Sequence, residues 1–78
     1  MAIQEKITIQ LNDETKFILG RPNFWCGQLS RNLRKLGHDI PKKAEEEQAY
    51  VIYWMLGLYD QYGDKWRDEF KAHLKGKS

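Results

Sequence analysis

Few side chains in this chain carry chemistry of their own: two histidines, His38 and His73, and one cysteine, Cys26. A metal-ligand set drawn from one segment needs short spacings, such as H-x-x-x-H or paired cysteines. His38 and His73 are far apart in sequence and stand in no such pattern, so neither a metal nor another cofactor is expected. His38 reads as a helix-end residue whose imidazole meets the terminal carbonyls. Cys26 has no second thiol to pair with. To act as a nucleophile it needs a neighbouring base and a helix N-terminus to lower its pKa. Only the helix N-terminus is in reach, so Cys26 is expected to be a small buried hydrophobe. No Ser-His-Asp set, phosphate-cradling glycine loop or inward carboxylate pair is visible. No catalytic residue is nominated, and the chain is expected not to be an enzyme.

Charge offers a second kind of chemistry. Between residues 21 and 43 six cations, Arg21, Arg31, Arg34, Lys35, Lys42 and Lys43, stand against a single anion, Asp39. Arg31, Arg34 and Lys35 share one helical face and the other three come from flanking turns, so the six could converge on one anion. Asn23, Phe24 and Gln28 nearby would add the hydrogen bonds and stacking that nucleic-acid sites use. The whole-chain pI of 8.7 is below the strongly basic balance of nucleic-acid modules. Glu45, Glu46 and Glu47 follow the block directly. The competing reading is a solvated face that steers or matches an acidic protein.

The elements that must position these groups follow from periodicity. Seventy-eight residues make one domain, 1–78, near the size where a single core only just suffices, with three Trp, four Tyr and three Phe to enlarge it. The expected fold is mainly α: a compact bundle of three to four helices with one short N-terminal β-strand over about 5–11. "KITIQL" alternates apolar and polar residues, as a half-buried strand does. Such a strand would need pairing from a second copy, from a partner or from a short local extension. A helix over about 13–19 is capped by Asn12 or Asp13 and stopped by "GRP". The next, about 24–36, is capped by Asn23 and turns Trp25, Leu29, Leu33 and Leu36 inward, with Cys26 at the edge. Gly37 suits the left-handed position after that helix, Ile40 folds back, and Asp39 caps a helix over about 41–62. Gly63 ends it, and Asp64 caps a last helix over about 64–75 whose Trp66, Phe70, His73 and Leu74 face the core.

The long third helix contains "AYVIYWMLGLYD", which is apolar on more than one side. It is too short to span a membrane, which takes roughly 20 apolar residues. The opening "MAIQEKITIQLND" lacks the features of a secretory leader, and the expected location is the cytoplasm. Helical angles assign Ala44, Val51, Met55, Leu58, Tyr59 and Tyr62 to the core. Tyr50, Tyr53 and Gly57 point the other way, beside Glu46, Asp60 and Gln61, with Trp54 at the boundary. Two tyrosines and a glycine ringed by polar groups match the composition of recognition surfaces. Tyr50, Tyr53, Gly57 and Asp60 are therefore the candidate partner-binding residues, unless another helix covers them.

"KITIQLNDETKFIL" resembles the opening of ribbon-helix-helix DNA-binding proteins. That resemblance implies strand pairing between two chains and base reading by Lys6, Thr8 and Gln10. "GRP" ends the first helix earlier than in that family, and two long helices follow where it has one. The longer stretch "FILGRPNFWCGQLSRNLRKLGHDIPKKAEEEQAYVIYWMLGLY" resembles small accessory proteins encoded by bacteriophages and prophages. This second resemblance implies a protein that binds and disables or redirects host machinery, defence complexes of the CRISPR kind included, without catalysis. The leading expectation is a non-catalytic protein-binding module acting on a host protein or complex. The alternatives are a small nucleic-acid-binding regulator using the basic block and a structural homo-oligomer, in its simplest form a homodimer.

Overall fold

Asn12 sets the start of the first helix through a reciprocal cap. Its side-chain oxygen accepts the Thr15 N–H at 3.0 Å, and the Thr15 hydroxyl oxygen accepts the Asn12 N–H at 2.8 Å. The computed structural model describes residues 10–76, and among the described residues the regular structure is helical throughout. It comprises α1 (Asp13–Leu19), α2 (Asn23–Lys35), α3 (Ala44–Tyr62) and α4 (Trp66–Leu74), with a single 3-10 turn, Gly63–Lys65, joining the last two. Of the strand expected over 5–11, residues 5–9 lie outside the described residues, with Lys6 and Thr8 among them. Gln10 and Leu11 hold no strand. The supported class is all-helical.

Two of the expected helix ends are built by glycine. After α2 the chain turns at Gly37, φ 102°. The Gly37 N–H donates to Arg34 O at 3.0 Å and the His38 N–H to Leu33 O at 2.9 Å. This double bond pattern satisfies the carbonyls a helix end leaves over, and only a residue free of a Cβ adopts it cheaply. Ile40 then folds back into the core and is 4% exposed. Gly63, also at positive φ (58°), ends α3, with ψ −131° placing it outside the left-handed helical region expected of it.

Three expected caps are corrected. Pro22, not Asn23, precedes α2, and the Asn23 amide donates to Ala44 O at 2.9 Å, tying the start of α2 to the start of α3. Asp39 does not cap α3, which begins three residues later than expected, after Lys43 and without a side-chain cap. The residue before Pro41 is biased away from helix, and the loop is fixed by Arg34. Its guanidinium donates to Ile40 O and Pro41 O, each at 3.0 Å, and to Glu47 Oε2 at 2.6 Å. Asp64 falls inside the 3-10 turn, and Lys65 occupies the cap position of α4 with no side-chain bond.

The core gathers Ile18, Cys26, Leu29, Leu33, Ile40, Val51, Met55 and Trp66. Each of the other helices packs on α3. The inner face of α2 is rotated from the expected one: Cys26 is fully buried at its centre, while Leu36 is 38% exposed. On α3, Val51 and Met55 are fully buried, whereas Ala44 and Tyr62 lie on the exposed side of the expected division. Trp66 brings α4 home: its ring is buried and its indole N–H donates to Glu14 Oε1 of α1 at 2.8 Å, as a buried indole must find an acceptor. Among the described residues no helix is long and apolar enough to cross a membrane.

Candidate functional site

Residues 50, 53, 57 and 60 recur at helical spacings of three and four and so stack along one side of α3. The structure brings all four nominated residues, Tyr50, Tyr53, Gly57 and Asp60, to the lining of one groove of about 580 Å³, together with Trp54, Leu56, Leu58 and Gln61. Tyr53 is 79% exposed and forms its outer wall. Gly57 forms a notch: a Cβ built there would meet no heavy atom within 4 Å. Among the described lining residues the only charge is that of Asp60. Glu46, exposed one turn before Tyr50, extends the acidic character toward the start of the helix.

Tyr50 and Trp54 differ from Tyr53 in being half-buried and held from behind. The Tyr50 hydroxyl lies 2.8 Å from His38 Nδ1. The Trp54 ring packs on Phe70 (centroids 5.6 Å apart), His73 (5.3 Å) and His38 (6.0 Å). Thus neither another helix nor solvent alone claims this side of α3. The α2–α3 loop and α4 cover the Tyr50 and Trp54 side, and Tyr53, Gly57 and Asp60 are left open.

His38 does not meet the helix-end carbonyls. Its Nε2 lies 2.8 Å from Nε2 of His73, across 35 residues of sequence, with the two rings nearly perpendicular. Burial pushes the His38 imidazole below its ordinary value, and the nearby His73 pushes it the same way. No spacing rule finds such a pair, because it arises from α4 packing against the loop after α2. Helical periodicity does supply half of the signal: it puts His73 on the inward stripe of α4. Among the described residues no group of three or more His, Cys, Asp or Glu could hold a metal ion. Cys26 is buried and its thiol is held up by that burial, which leaves little thiolate for nucleophilic chemistry.

The six basic residues do not converge. Arg34 is turned inward onto the loop carbonyls and Glu47. Its hydrogen bond is the main cause of the lowered pKa of the Glu47 carboxyl. Arg21 donates to Phe17 O at 2.8 Å and lays its guanidinium over the Phe17 ring, 3.7 Å from the centroid, with the Arg67 guanidinium also 4.6 Å from that ring. The 13 residues of α2 put about 20 Å between Arg21 and the cations at its far end. Arg31, Lys35, Lys42 and Lys43 remain exposed.

Comparison with family models, with curated proteins and with solved structures found no match to this chain.

Proposed function

We propose that the protein is a non-catalytic protein-binding module whose working surface is the α3 groove. The observation that carries this reading is the pairing of Tyr53, 79% exposed, with the open notch at Gly57. A glycine inside a helix costs about 1 kcal/mol relative to alanine, and no close approach of the chain's own atoms among the described residues requires it at position 57. A partner side chain entering the notch would. Tyrosine is also among the residues most often dominant at interface centres.

The chemistry of the groove supports one kind of occupant: a protein segment presenting an arginine or lysine beside an apolar side chain. The apolar group fills the notch between Tyr53 and Trp54, and the cation meets Asp60 and the tyrosine faces. The resemblance of residues 17–59 to small phage-encoded accessory proteins supports a host protein or complex as the owner of that segment, with binding serving to disable or redirect it.

The test is site-directed cross-linking in cells, with a benzophenone amino acid replacing Tyr53 and, as control, Lys35. A discrete product formed from position 53, missing from position 35 and lost when Gly57→Leu fills the notch, supports the reading. Equal products from both positions, or indifference to Gly57→Leu, refutes it.

Exposed Arg31, Lys35, Lys42 and Lys43 favour a second reading, binding to nucleic acid. Phosphate-driven binding weakens steeply as salt rises. If duplex and single-stranded DNA and RNA all fail to bind at low salt, this reading falls. A self-complementary groove would instead give a homodimer, which sedimentation of the purified chain detects.

A further inference from the structure

The groove has a back as well as a front, and the same two residues form both. Tyr50 and Trp54 line the groove on α3. On their other side, Tyr50 meets His38 and Trp54 packs on His38 and His73. We infer that the His38–His73 pair is a proton-operated latch for the groove: joined by one hydrogen bond it fixes Tyr50 and Trp54 in place, and protonation of both rings releases them. The inference rests on the groove being the working surface and adds its regulation.

The argument is one of proton count. Two imidazole nitrogens 2.8 Å apart need one N–H and one lone pair between them. A neutral pair supplies these, and so does a singly protonated one. A doubly protonated pair cannot: each ring then carries hydrogens on both nitrogens, so two N–H groups and two positive charges confront each other. Nδ1 of His38 is 2.8 Å from the Tyr50 hydroxyl, which can donate or accept and so follows either tautomer of the neutral ring. Rotation of His38 to relieve the clash therefore breaks the bond to Tyr50 as well. It also moves a ring that packs edge-on against Trp54, at 78° between planes.

The position of the pair makes it a latch rather than an ornament of one helix. His38 belongs to the loop between α2 and α3, and His73 to the last turn of α4. Their bond closes those two elements over the half-buried side of α3. Of the titratable groups near the pair, Tyr50 from α3 meets it directly; along the chain, Asp39 is next to His38 in its own loop and Glu69 lies one turn before His73 on α4. Among the described residues the charge that bears on His38 is that of His73, and it disfavours protonation in the same direction as burial does. The second proton is thus taken up on the acid side of the ordinary imidazole value of 6.5.

The experiment is an NMR titration of the purified chain from pH 8 to pH 5. It follows the ring Cε1–H signals of both histidines, the indole N–H of Trp54 and the backbone N–H of Gly57. The expected result is a coupled titration whose second step lies below 6.5. The Trp54 and Gly57 signals should move with that second step, and the movement should be lost in both His73→Gln and His38→Asn. Circular dichroism identifies a variant that has failed to fold, and the other variant then carries the comparison. If both fail, the wild-type signals decide. Trp54 and Gly57 signals that stay fixed while both histidines titrate overturn the latch, as does movement that persists unchanged in a folded variant. No partner is present in this experiment, so failure of the latch and failure of the docking surface are read separately.

Discussion

Met55 and Gly57 are two residues apart on α3 and live under opposite constraints. Met55 is fully buried among residues from the other helices, where size and shape are dictated by neighbours. Gly57 faces open space, where an added Cβ would meet no heavy atom among the described residues within 4 Å. The inner face is explained by folding alone. On the outer face an exposed tyrosine and a mid-helix glycine have no folding rationale, and a surface that folding does not explain is where binding should be sought.

The comparison is broken most directly on its inner side. Met55→Ala leaves a cavity in the centre of the bundle and should cost about 2–5 kcal/mol, read as a lower urea midpoint. In a domain of this size such a loss threatens folding outright. A cost below about 1 kcal/mol, the scale of an ordinary point change, would mean that the inner face of α3 is not the core.

A smaller effect separates the two kinds of arginine on α2. Arg34→Ala removes the donors that hold Ile40 O and Pro41 O and should cost about 1.5–3 kcal/mol, the range of hydrogen bonds from a charged group. Arg31→Ala, on the exposed side, should stay within about 0.5 kcal/mol. The same contrast appears in acid. The Glu47 carboxyl is held below its ordinary 4.5 chiefly by the Arg34 hydrogen bond, and that of Glu14 chiefly by the Trp66 indole. A carboxylate whose folded pKa is lowered contributes stability that is present above 4.5 and is lost as pH falls through the folded value. His38, lowered from 6.5, follows the same sign over a higher window. Wild-type stability should therefore decline first below 6.5 and again below 4.5, with the Glu47 part of the second decline reduced in Arg34→Ala, where only Ser30 and Arg31 still favour the carboxylate. Denaturation midpoints measured across this pH range check it.

What could be read in advance divides along the same line as these effects. Asn12, Gly37 and Gly63 mark helix ends legibly because capping and turns at positive φ are local chemistry, settled within a few residues. The two faces of α3 were legible because helical angle alone separates Val51 and Met55 from Tyr53 and Gly57. The His38–His73 bond, the inward turn of Arg34 and the reach of Asn23 to Ala44 were not. Each depends on how one element lies against another, which periodicity does not encode. Asn23 is not the cap because its amide is taken by Ala44 O once the helices pack, and Asp64 is not because the chain makes the 3-10 turn Gly63–Lys65 before α4 begins.

Gly57→Ala sharpens the outer side. The position is helical and unobstructed, so the substitution should stabilise the fold by about 0.5–1 kcal/mol. On the proposed reading it should also weaken partner binding, because the added methyl occupies the notch. A variant that folds better and binds worse is hard to explain unless the glycine is kept for a partner. If binding is unchanged, the notch is empty in the complex as well.

Tyr53→Ala should have the smallest effect on the fold and the largest contrast between fold and function. With 79% of the residue already in solvent, little burial is lost, and the urea midpoint should move by less than the equivalent of about 0.5 kcal/mol. A tyrosine at the centre of an interface contributes about 2 kcal/mol or more when truncated, roughly a thirtyfold loss of affinity. Titration calorimetry against the cross-linked partner, beside urea denaturation of the same sample, measures both numbers. Tyr50→Ala supplies the control on interpretation. Its hydroxyl is engaged with His38, so it should lose stability as well as binding, and only the Tyr53 result isolates the contact itself. If Tyr53→Ala destabilises the fold as Tyr50→Ala does, the outer wall of the groove belongs to the core, and the division of α3 into a folding face and a binding face fails.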